Sequence, residues 1–435
     1  MNKKGNVFAI GIMFFLFAMI SFVTGLSNPM GVIIKNQDGI QNWMSQLGNF
    51  ANFFAYLFMG IPAGVILKRK GYKFTALSAI AVGIVGVGIQ MLSGFMETSE
   101  FTPIFIVYLT GAFISGFSMC MLNTVVNPLL NTLGGGGKTG NQLIQFGGSL
   151  NSFCATIVPI LGGYLIGDIT KATLNNAIPA LAIAIGIFVF AFIVLLLSEI
   201  PEPHMEAASD VKVKDEHSAM SFRHFVLGTV AIFLYVGIEV GIPNFINLFL
   251  TSSADAVGAK GIGMDTAAAG SVVGTYWFLM LVGRLCGGML GAKFSAKAQL
   301  TFVSFTTLVF IILGILLPAS ITVNMPVFLS DISFGMVEVP LSIMLFAICG
   351  LCTSIMWGGI FNLAVEGIGK YTAMGSGIFM VMVVGGGVLP LIQGALADIS
   401  ANYMTSYWVI VVAAAFLLWY ALVGAKNVNK DIKVD

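Results

Sequence analysis

Long uncharged apolar runs decide what this chain can fold into. Runs of roughly 18 or more residues recur along the 435-residue sequence, and a helix of that length crosses the hydrocarbon core of a bilayer. Charged residues make up 9% of the chain, whereas soluble domains carry about 25%. The sequence therefore predicts an integral membrane protein and argues against a soluble protein with a large core.

Twelve membrane spans are predicted. Their ranges are 7–34, 45–67, 74–95, 103–132, 141–167, 177–198, 224–250, 268–290, 298–317, 340–365, 371–397 and 403–425. The first span follows MNKK without a small-residue cleavage site, so we expect a retained helix and not a signal peptide. With a cytoplasmic N-terminus, only Lys35, Lys171 and Lys260 of the twenty Lys and Arg residues lie outside. The positive-inside rule therefore predicts a multi-pass protein with both termini in the cytoplasm. The apolar connection 318–339 is expected outside, packed on the protein as a cap.

The chain divides at its longest polar stretch. Residues 201–222 read as a cytoplasmic linker between a bundle of residues 1–200 and a bundle of residues 223–435. VPILGGYLIGDI (158–169) in the first part parallels LPLIQGALADI (389–399) in the second. These matches support a parallel repeat of six plus six helices, the architecture of major facilitator transporters. The predicted fold class is an all-α membrane protein with twelve helices in two six-helix bundles.

Several other chemistries are excluded. GGGGKTG (134–140) fails as a phosphate-binding loop because Thr132 stands where the motif requires glycine, and no strand precedes it. The three histidines cluster in or beside the linker, and Cys349 and Cys352 are expected to pack within a span. Nothing resembles a hydrolytic triad or a metal cluster. We therefore expect no enzyme activity and no bound metal, and the net charge of +1 gives no sign of a nucleic-acid partner.

Glu239 stands alone in the middle of an apolar span, YVGIEVGIPNFINLFL (235–250). Every other Asp or Glu can be assigned to a loop or a helix end. A charge at this depth costs about 2.5 kcal/mol or more, so such residues usually face a water-filled path or a substrate. Glu239 is predicted to be the coupling carboxylate, a sodium ligand or an acceptor for sugar. The alternative is a structural hydrogen bond between the two bundles.

Uncharged hydrogen-bonding side chains also recur within the spans. Amides both donate and accept, which suits a neutral polyhydroxylated ligand, whereas an anionic substrate would require buried cations. The alternative for any single amide is an interhelical hydrogen bond worth about 0.6 kcal/mol. Trp357 can stack on the C–H face of a sugar, with apolar packing as its alternative. The predicted binding residues are Asn28, Gln46, Asn123, Asn127, Gln145, Asn151, Glu239, Asn244, Asn247, Trp357 and Asn362.

Two basic segments occupy equivalent positions in the two bundles, GVILKRKGYK (64–73) and GRLCGGMLGAKFSAK (283–297). Lys68 and Arg69 are predicted gate residues, with simple positive-inside anchoring as the alternative. Arg284 lies about two turns inside its span. It is expected to pair with a helix C-terminus or to act in the cytoplasmic gate.

At these residues the sequence resembles the fucose-galactose-glucose permease family of the major facilitator superfamily. The matching segments are NFFAYLFMGIPAGVILKRKGYK (52–73), NTVVNPLLNTLG (123–134), LNSF (150–153), YVGIEV (235–240), VGR (282–284) and GSGIFMVMVVGGGVLPLIQGALAD (375–398). The resemblance implies a symporter of the cytoplasmic (inner) membrane that takes up a monosaccharide, driven by a proton or sodium gradient. It also implies two bundles that rock about a site at the membrane midplane.

The chain departs from the family's fucose-transporting members at three positions. An aspartate of span one and a glutamate of span four are tied there to proton coupling and sugar binding, and Gly25 and Asn123 occupy those places here. Gly148 replaces an amide before the NSF motif. That coupling route therefore does not carry over, whereas Glu239 sits where glucose- and galactose-type members have a glutamate in YVGxEV.

The expected function is import of a neutral hexose or 6-deoxyhexose by a monomer in the lipid bilayer, with H⁺ or Na⁺ as the coupling ion and no other cofactor. A facilitative uniporter, a facilitator-type exporter and a membrane sugar sensor that does not transport are the alternatives.

Overall fold

The computed structural model describes residues 3–37, 39–96, 100–134, 137–166, 171–202, 217–256, 258–290, 294–329, 333–429 and 431–432. The α-helices are α1 (Lys3–Gly25), α2 (Ser27–Lys35), α3 (Asn42–Ser45), α4 (Leu47–Gly94), α5 (Phe101–Leu133), α6 (Gly137–Ile166), α7 (Ile178–Leu197), α8 (Arg223–Thr251), α9 (Thr266–Leu290), α10 (Ala296–Leu316), α11 (Leu341–Thr353), α12 (Met356–Val365), α13 (Thr372–Met382), α14 (Gly385–Ser400), α15 (Tyr403–Ser406) and α16 (Trp408–Trp419). Short 3₁₀ turns cover Leu174–Ala177, Ala219–Ser221 and Gly369–Tyr371, and a π-helical turn, Tyr420–Gly424, follows α16.

These helices coincide with the predicted spans. Within the described part of the chain, nine helical segments are long and apolar enough to cross a membrane, and α11 with α12, bent by 41°, makes a tenth. One of the nine, α4, covers two predicted spans, because its 48 residues leave helical geometry at Gly71 (φ 83°, ψ 176°). The predicted fifth span is α6. Length and apolar composition therefore account for these spans except α6, whose described apolar part, Phe146–Gly162, is shorter.

Local breaks in the helices have sequence causes. The first span divides into α1 and α2 at Leu26, three residues before Pro29. Proline has no N–H and clashes with the carbonyl four residues earlier, here that of Gly25, so it favours a kink or a break at this point. The chain resumes its helix at once, since the Met30 N–H donates to the Leu26 carbonyl at 3.1 Å.

The first half (α1–α7) meets the second half (α8–α16) along two main seams. In one, α3 and α4 pack against α13 and α14, and in the other α6 packs against α9. Small residues permit the first approach, since a Cβ at Gly387 would lie only 2.9 Å from the Cα of Phe50. At the second, a Cβ at Gly274 would lie 2.9 Å from the Thr156 carbonyl oxygen. The halves meet along these two seams, and the space between the seams holds the site.

The connection between α10 and α11 is a β-hairpin, which helix-based reasoning did not predict. Strands β1 (Thr322–Phe328) and β2 (Phe334–Pro340) pair antiparallel, from Thr322 opposite Pro340 to Phe328 opposite Phe334. The Phe328 ring stacks on Phe278 of α9 with centroids 5.4 Å apart, and its N–H donates to the Thr275 hydroxyl at 3.1 Å. The segment therefore packs on the protein, along the side of α9 as far as its middle.

Candidate functional site

A central cavity of about 170 Å³ lies between the two halves. Residues of α1, α4, α5 and α6 line it from the first half, and residues of α8, α9, α12 and α13 line it from the second. Its polar lining consists of Ser21, Thr24, Asn49, Tyr56, Asn123, Asn151, Glu239 and Asn244. Phe53, Trp277 and Trp357 add aromatic surface. The cavity thus combines amides, hydroxyls, aromatic rings and one carboxylate.

Glu239 is not alone in the fold. Its Oε1 lies 3.3 Å from Nη2 of Arg284, and both side chains are largely buried, 16% and 13% exposed. The other terminal nitrogen of the guanidinium group, Nη1, donates to the Ser152 hydroxyl at 2.9 Å and to the Gly148 carbonyl at 2.5 Å. Arg284 of the second half therefore holds Glu239 of its own half and α6 of the first half at the same time.

Arg284 was expected to pair with a helix C-terminus or to act in the cytoplasmic gate. It pairs with Glu239 and not with a helix C-terminus for a geometric reason, and its gate role stays a prediction. Side chains of an α-helix tilt toward its N-terminus. Helix α9 runs toward the end of the bundle that holds the linker, so the side chain of Arg284 points back toward the membrane middle. A buried charge there requires an opposite charge and hydrogen bonds, and Glu239, Ser152 and Gly148 supply them.

The cavity amides are held by defined partners. Asn123 Nδ2 donates to the Tyr56 hydroxyl at 3.0 Å and to the Met119 carbonyl at 3.1 Å. Asn151 Nδ2 donates to the Phe17 carbonyl at 3.2 Å, so it connects α6 to α1. These bonds fix the rotamers before any ligand arrives, which reduces the entropy lost on binding.

Two further amides cross between the halves. Asn49 of α4 donates to the Gly386 carbonyl of α14 at 2.8 Å. Asn244 Nδ2 of α8 donates to Gln46 Oε1 at 3.0 Å, and Gln46 lies just before α4. Both bonds lie on the side of the cavity away from the linker, so ligand contacts at these residues are connected directly to the seam between the halves.

The structure brings part of the predicted binding set together. Asn123, Asn151, Glu239, Asn244 and Trp357 line the cavity. The predictions for Asn28 and Gln145 fall on side chains outside the described part of the chain.

The other predicted binding residues lie outside the cavity lining. Gln46 is buried behind Asn244, and Asn127 donates to the Asn123 carbonyl at 3.0 Å. Asn247 is buried one turn beyond Asn244 in α8. Asn362 is exposed on α12. Residue type alone could not separate these positions from the lining, because helix rotation decides which amides face the cavity.

Three lining residues missing from the predicted set share one face of α4. Asn49, Phe53 and Tyr56 follow one another at spacings of four and three, which place them on one stripe of a helix. That periodicity was a usable signal, since the stripe contains an amide and two aromatic rings. Ser21, Thr24 and Trp277 also line the cavity and are likewise missing from the predicted set.

The predicted gate cations Lys68 and Arg69 are exposed in the middle of α4, just before its kink at Gly71. The anchored residue of this basic turn is Lys73, whose ammonium donates to the Leu196 and Ser198 carbonyls at 2.9 and 2.7 Å. Glu202 in turn accepts the N–H group of Lys73 at 2.9 Å. A cation at a helix C-terminus and an anion at a helix N-terminus are both favourable, so these contacts tie the turn to α7.

The end of the bundle opposite the linker, called here the far end, is closed by Asp398 of α14. Its Oδ1 accepts from the backbone N–H and the side-chain Nδ2 of Asn42, at 2.9 and 2.7 Å, and its Oδ2 accepts from the Trp43 N–H at 2.9 Å. The Tyr403 hydroxyl donates to Asn42 Oδ1 at 2.8 Å. These bonds join the two halves, so the far end cannot open without breaking them.

Asp398→Asn is expected to loosen the far end. The change removes the charge and replaces one acceptor oxygen with an NH₂ group, which faces N–H donors and cannot accept from them. Hydrogen bonds to charged groups are worth about 1.5–3 kcal/mol each. Ser45, 2% exposed at this end, supplies a probe as Ser45→Cys in a chain lacking its five native cysteines. We expect thiol labelling at least about tenfold faster with Asp398→Asn. Asp255→Asn, in an exposed loop at the same end, is the control, and equal rates in both variants would contradict the assignment.

Comparisons with known proteins agree with this architecture. A "Glucose/galactose transporter" of Brucella abortus is 28% identical over 434 residues, covering 98% of this chain and 96% of that protein. A "Putative glucose/galactose transporter" of Helicobacter pylori is 27% identical over 98% of this chain and 99% of its own. The "L-fucose-proton symporter" of Escherichia coli is 20% identical over 91% and 89% of the two chains. These relatives confirm the resemblance to the fucose-galactose-glucose permeases.

Solved structures show the same fold. The transporter FucP in its outward conformation superposes with a TM-score of 0.66 at 18% identity, covering 96% of this chain and all (100%) of that one. A D-xylose-proton symporter gives 0.70 at 13% identity, with 97% and 99% coverage. The family model of the Major Facilitator Superfamily matches residues 10–383. The protein is a multi-pass membrane protein, and it belongs to the Major Facilitator Superfamily.

Proposed function

We propose that this protein imports a neutral monosaccharide, a hexose or 6-deoxyhexose, by alternating access, with Glu239 as the coupling carboxylate. The observation that carries the proposal is the central cavity between the two halves, lined by amides and aromatic rings around one paired acid. Relatives named as glucose/galactose transporters support a sugar as the substrate.

The charge balance of the site supports a neutral substrate. Glu239 and Arg284 neutralise each other at 3.3 Å, so the site offers no unbalanced cation to an anionic ligand. Asn123 and Asn151 offer hydrogen-bonding groups without charge, and Trp277 and Trp357 offer flat apolar surface. A pyranose presents both hydroxyl edges and a C–H face, and therefore matches this combination.

Coupling follows from the contacts of Arg284. Ionised Glu239 holds Nη2 while Nη1 stays on Ser152 and Gly148 of α6. Protonation of Glu239, or a sodium ion on its carboxylate, weakens the pair and so changes the connection between the halves. In the present structure the far end is closed by Asp398. We place that end on the outer side of the inner membrane, with both termini in the cytoplasm and the monomer as the working unit.

A facilitative uniporter is the second candidate. The observation that favours it is the absence of both acids of the fucose-transporting members, since Gly25 and Asn123 stand at those positions. In that case Glu239 would only bind sugar and stabilise Arg284.

The test is uptake of a radiolabelled hexose panel into proteoliposomes with an imposed pH or sodium gradient. Accumulation above the external concentration under one gradient would establish symport and name the ion. Equilibration without accumulation would establish the uniporter. No sugar movement would overturn both and bring the exporter or sensor forward.

Asn123→Ala is expected to weaken sugar binding about five- to twentyfold, the effect of one lost hydrogen bond with its desolvation. Asn123 lines the cavity and also positions the Tyr56 hydroxyl. Equilibrium binding of radiolabelled sugar to the purified protein measures the change. Asn362→Ala is the matched control, because that amide is exposed and does not line the cavity. Unchanged affinity in Asn123→Ala would place the sugar away from α5.

A further inference from the structure

We infer that the cavity recognises its ligand as a hydrogen-bond donor. The Oδ1 atoms of Asn49, Asn123 and Asn151 accept hydrogen bonds from ligand hydroxyls. The substrate class is then a neutral polyol with several donating hydroxyls. This inference rests on the sugar transport proposed above and specifies which side of each hydrogen bond the protein supplies.

The first step is the orientation of each amide. The oxygen and nitrogen of an Asn side chain look alike, and their assignment depends on the hydrogen-bond partners. Asn49 contacts the Gly386 carbonyl, Asn123 the Met119 carbonyl and Asn151 the Phe17 carbonyl, at 2.8, 3.1 and 3.2 Å. A carbonyl oxygen can only accept. The nitrogen must therefore face the carbonyl in all three residues, whatever the ligand.

The second step is what remains for the ligand. All three residues line the cavity, and within the described part of the chain no protein donor meets their Oδ1 atoms. In a planar amide the oxygen lies on the opposite branch from the nitrogen, so each Oδ1 turns away from the carbonyl that holds its nitrogen. Asn123 commits its second hydrogen too, to the Tyr56 hydroxyl at 3.0 Å. Asn123 therefore acts toward the ligand only as an acceptor.

The third step adds the carboxylate. Ionised Glu239 has acceptor oxygens only, and one of them is engaged by Arg284. Acceptor oxygens from α4, α5, α6 and α8 thus line one cavity, together with the hydroxyl groups of Ser21, Thr24 and Tyr56. Asn244 is oriented in the same way. The Ser45 hydroxyl donates to the Asn42 carbonyl at 2.7 Å and accepts from Gln46 Nε2 at 3.2 Å, so Gln46 Oε1 accepts from Asn244 Nδ2 at 3.0 Å.

Ligand selection follows from this polarity. A sugar hydroxyl donates one hydrogen and satisfies an amide oxygen. A sugar phosphate or an ionised uronic acid brings acceptor oxygens toward other acceptors and Glu239, which is repulsive. Such anions are excluded by repulsion, in addition to lacking a partner, which is how a site discriminates strongly.

The experiment compares D-glucose and D-galactose with their deoxy and deoxyfluoro analogues as competitors of radiolabelled uptake into proteoliposomes. Fluorine is close to a hydroxyl in size and cannot donate. We expect deoxy and deoxyfluoro analogues at two or more ring positions to compete about tenfold or more weakly than the parent sugar, and nearly equally with each other. The inference would be overturned if the deoxyfluoro analogues of every ring position competed as well as the parent sugar.

A variant connects the effect to one residue. Asn151→Ala should weaken competition by the parent sugar and leave competition by one deoxyfluoro analogue unchanged. The difference in affinity between the two then disappears for a single hydroxyl, which is the signature of a pairwise interaction. A uniform loss for all analogues would overturn the assignment of Asn151. Transport of the parent with equal competition by its fluoro analogues defeats only this inference. If no hexose or 6-deoxyhexose is bound or moved, the proposed function fails with it.

Discussion

Glu239→Gln is expected to abolish gradient-driven accumulation of sugar while leaving exchange of preloaded sugar partly intact. Glutamine keeps the size of the side chain and an oxygen that can accept from sugar, but it neither carries a proton at this site nor attracts a cation. It also removes the charge that holds Nη2 of Arg284 at 3.3 Å. Accumulation and counterflow in the same proteoliposome preparation measure the two activities separately.

The control for this variant is Glu338→Gln, which neutralises an exposed acid of the β-hairpin and should retain both activities. Accumulation by Glu239→Gln at the level of the unmodified protein would defeat the assignment of Glu239 as the coupling residue. Loss of exchange together with accumulation would assign Glu239 to sugar binding, as the uniporter reading requires.

Arg284→Gln is expected to destabilise the protein and to reduce both accumulation and exchange by about tenfold or more. Removing one partner of a buried ion pair costs about 3–5 kcal/mol, because the remaining charge lies buried without compensation. The variant also loses the bonds to Ser152 and Gly148 that connect α9 to α6. Thermal unfolding in detergent and proteoliposome transport report the two consequences.

Two further variants separate charge from geometry. Arg284→Lys keeps the charge, but a lysine ammonium lacks the planar fork that reaches Glu239 and α6 together. We expect it to recover stability and not transport. Glu239→Gln with Arg284→Gln should be more stable than the sum of the single changes predicts, because no charge remains unpaired. Strict additivity, or an equal loss in Arg69→Gln at the exposed turn, would contradict the ion pair as the origin of the effect.

The hydrophobicity of the residues along the chain was enough to predict where most membrane helices lie. Apolar runs placed the spans, and Pro29 accounts for the break at Leu26. Glu239 could also be recognised from the sequence, since an acid within an apolar run is identified without knowledge of its tertiary contacts. The hairpin of β1 and β2 was not visible in this way, because its strands become stable only by packing on α9 and α11.

Contacts between helices were harder to predict from the sequence. The partner of Glu239 is Arg284, 45 positions later, and its approach depends on the direction in which α9 runs and on the tilt of its side chains. Asp398 sits at a helix end, as the sequence indicated for every acid but Glu239, yet its partners Asn42 and Trp43 are more than 350 positions away.

The sequence by itself determined that this protein spans the membrane many times and that one acid lies within the spans, because hydrophobicity and length are properties of a single helix. Only the tertiary structure decided which amides line the cavity, with Asn123 facing it and Asn362 exposed. The same holds for the pairing of Arg284 and the closure at Asp398. The physical reason is that these features depend on the rotation, depth and direction of helices relative to one another, and long-range packing sets all three.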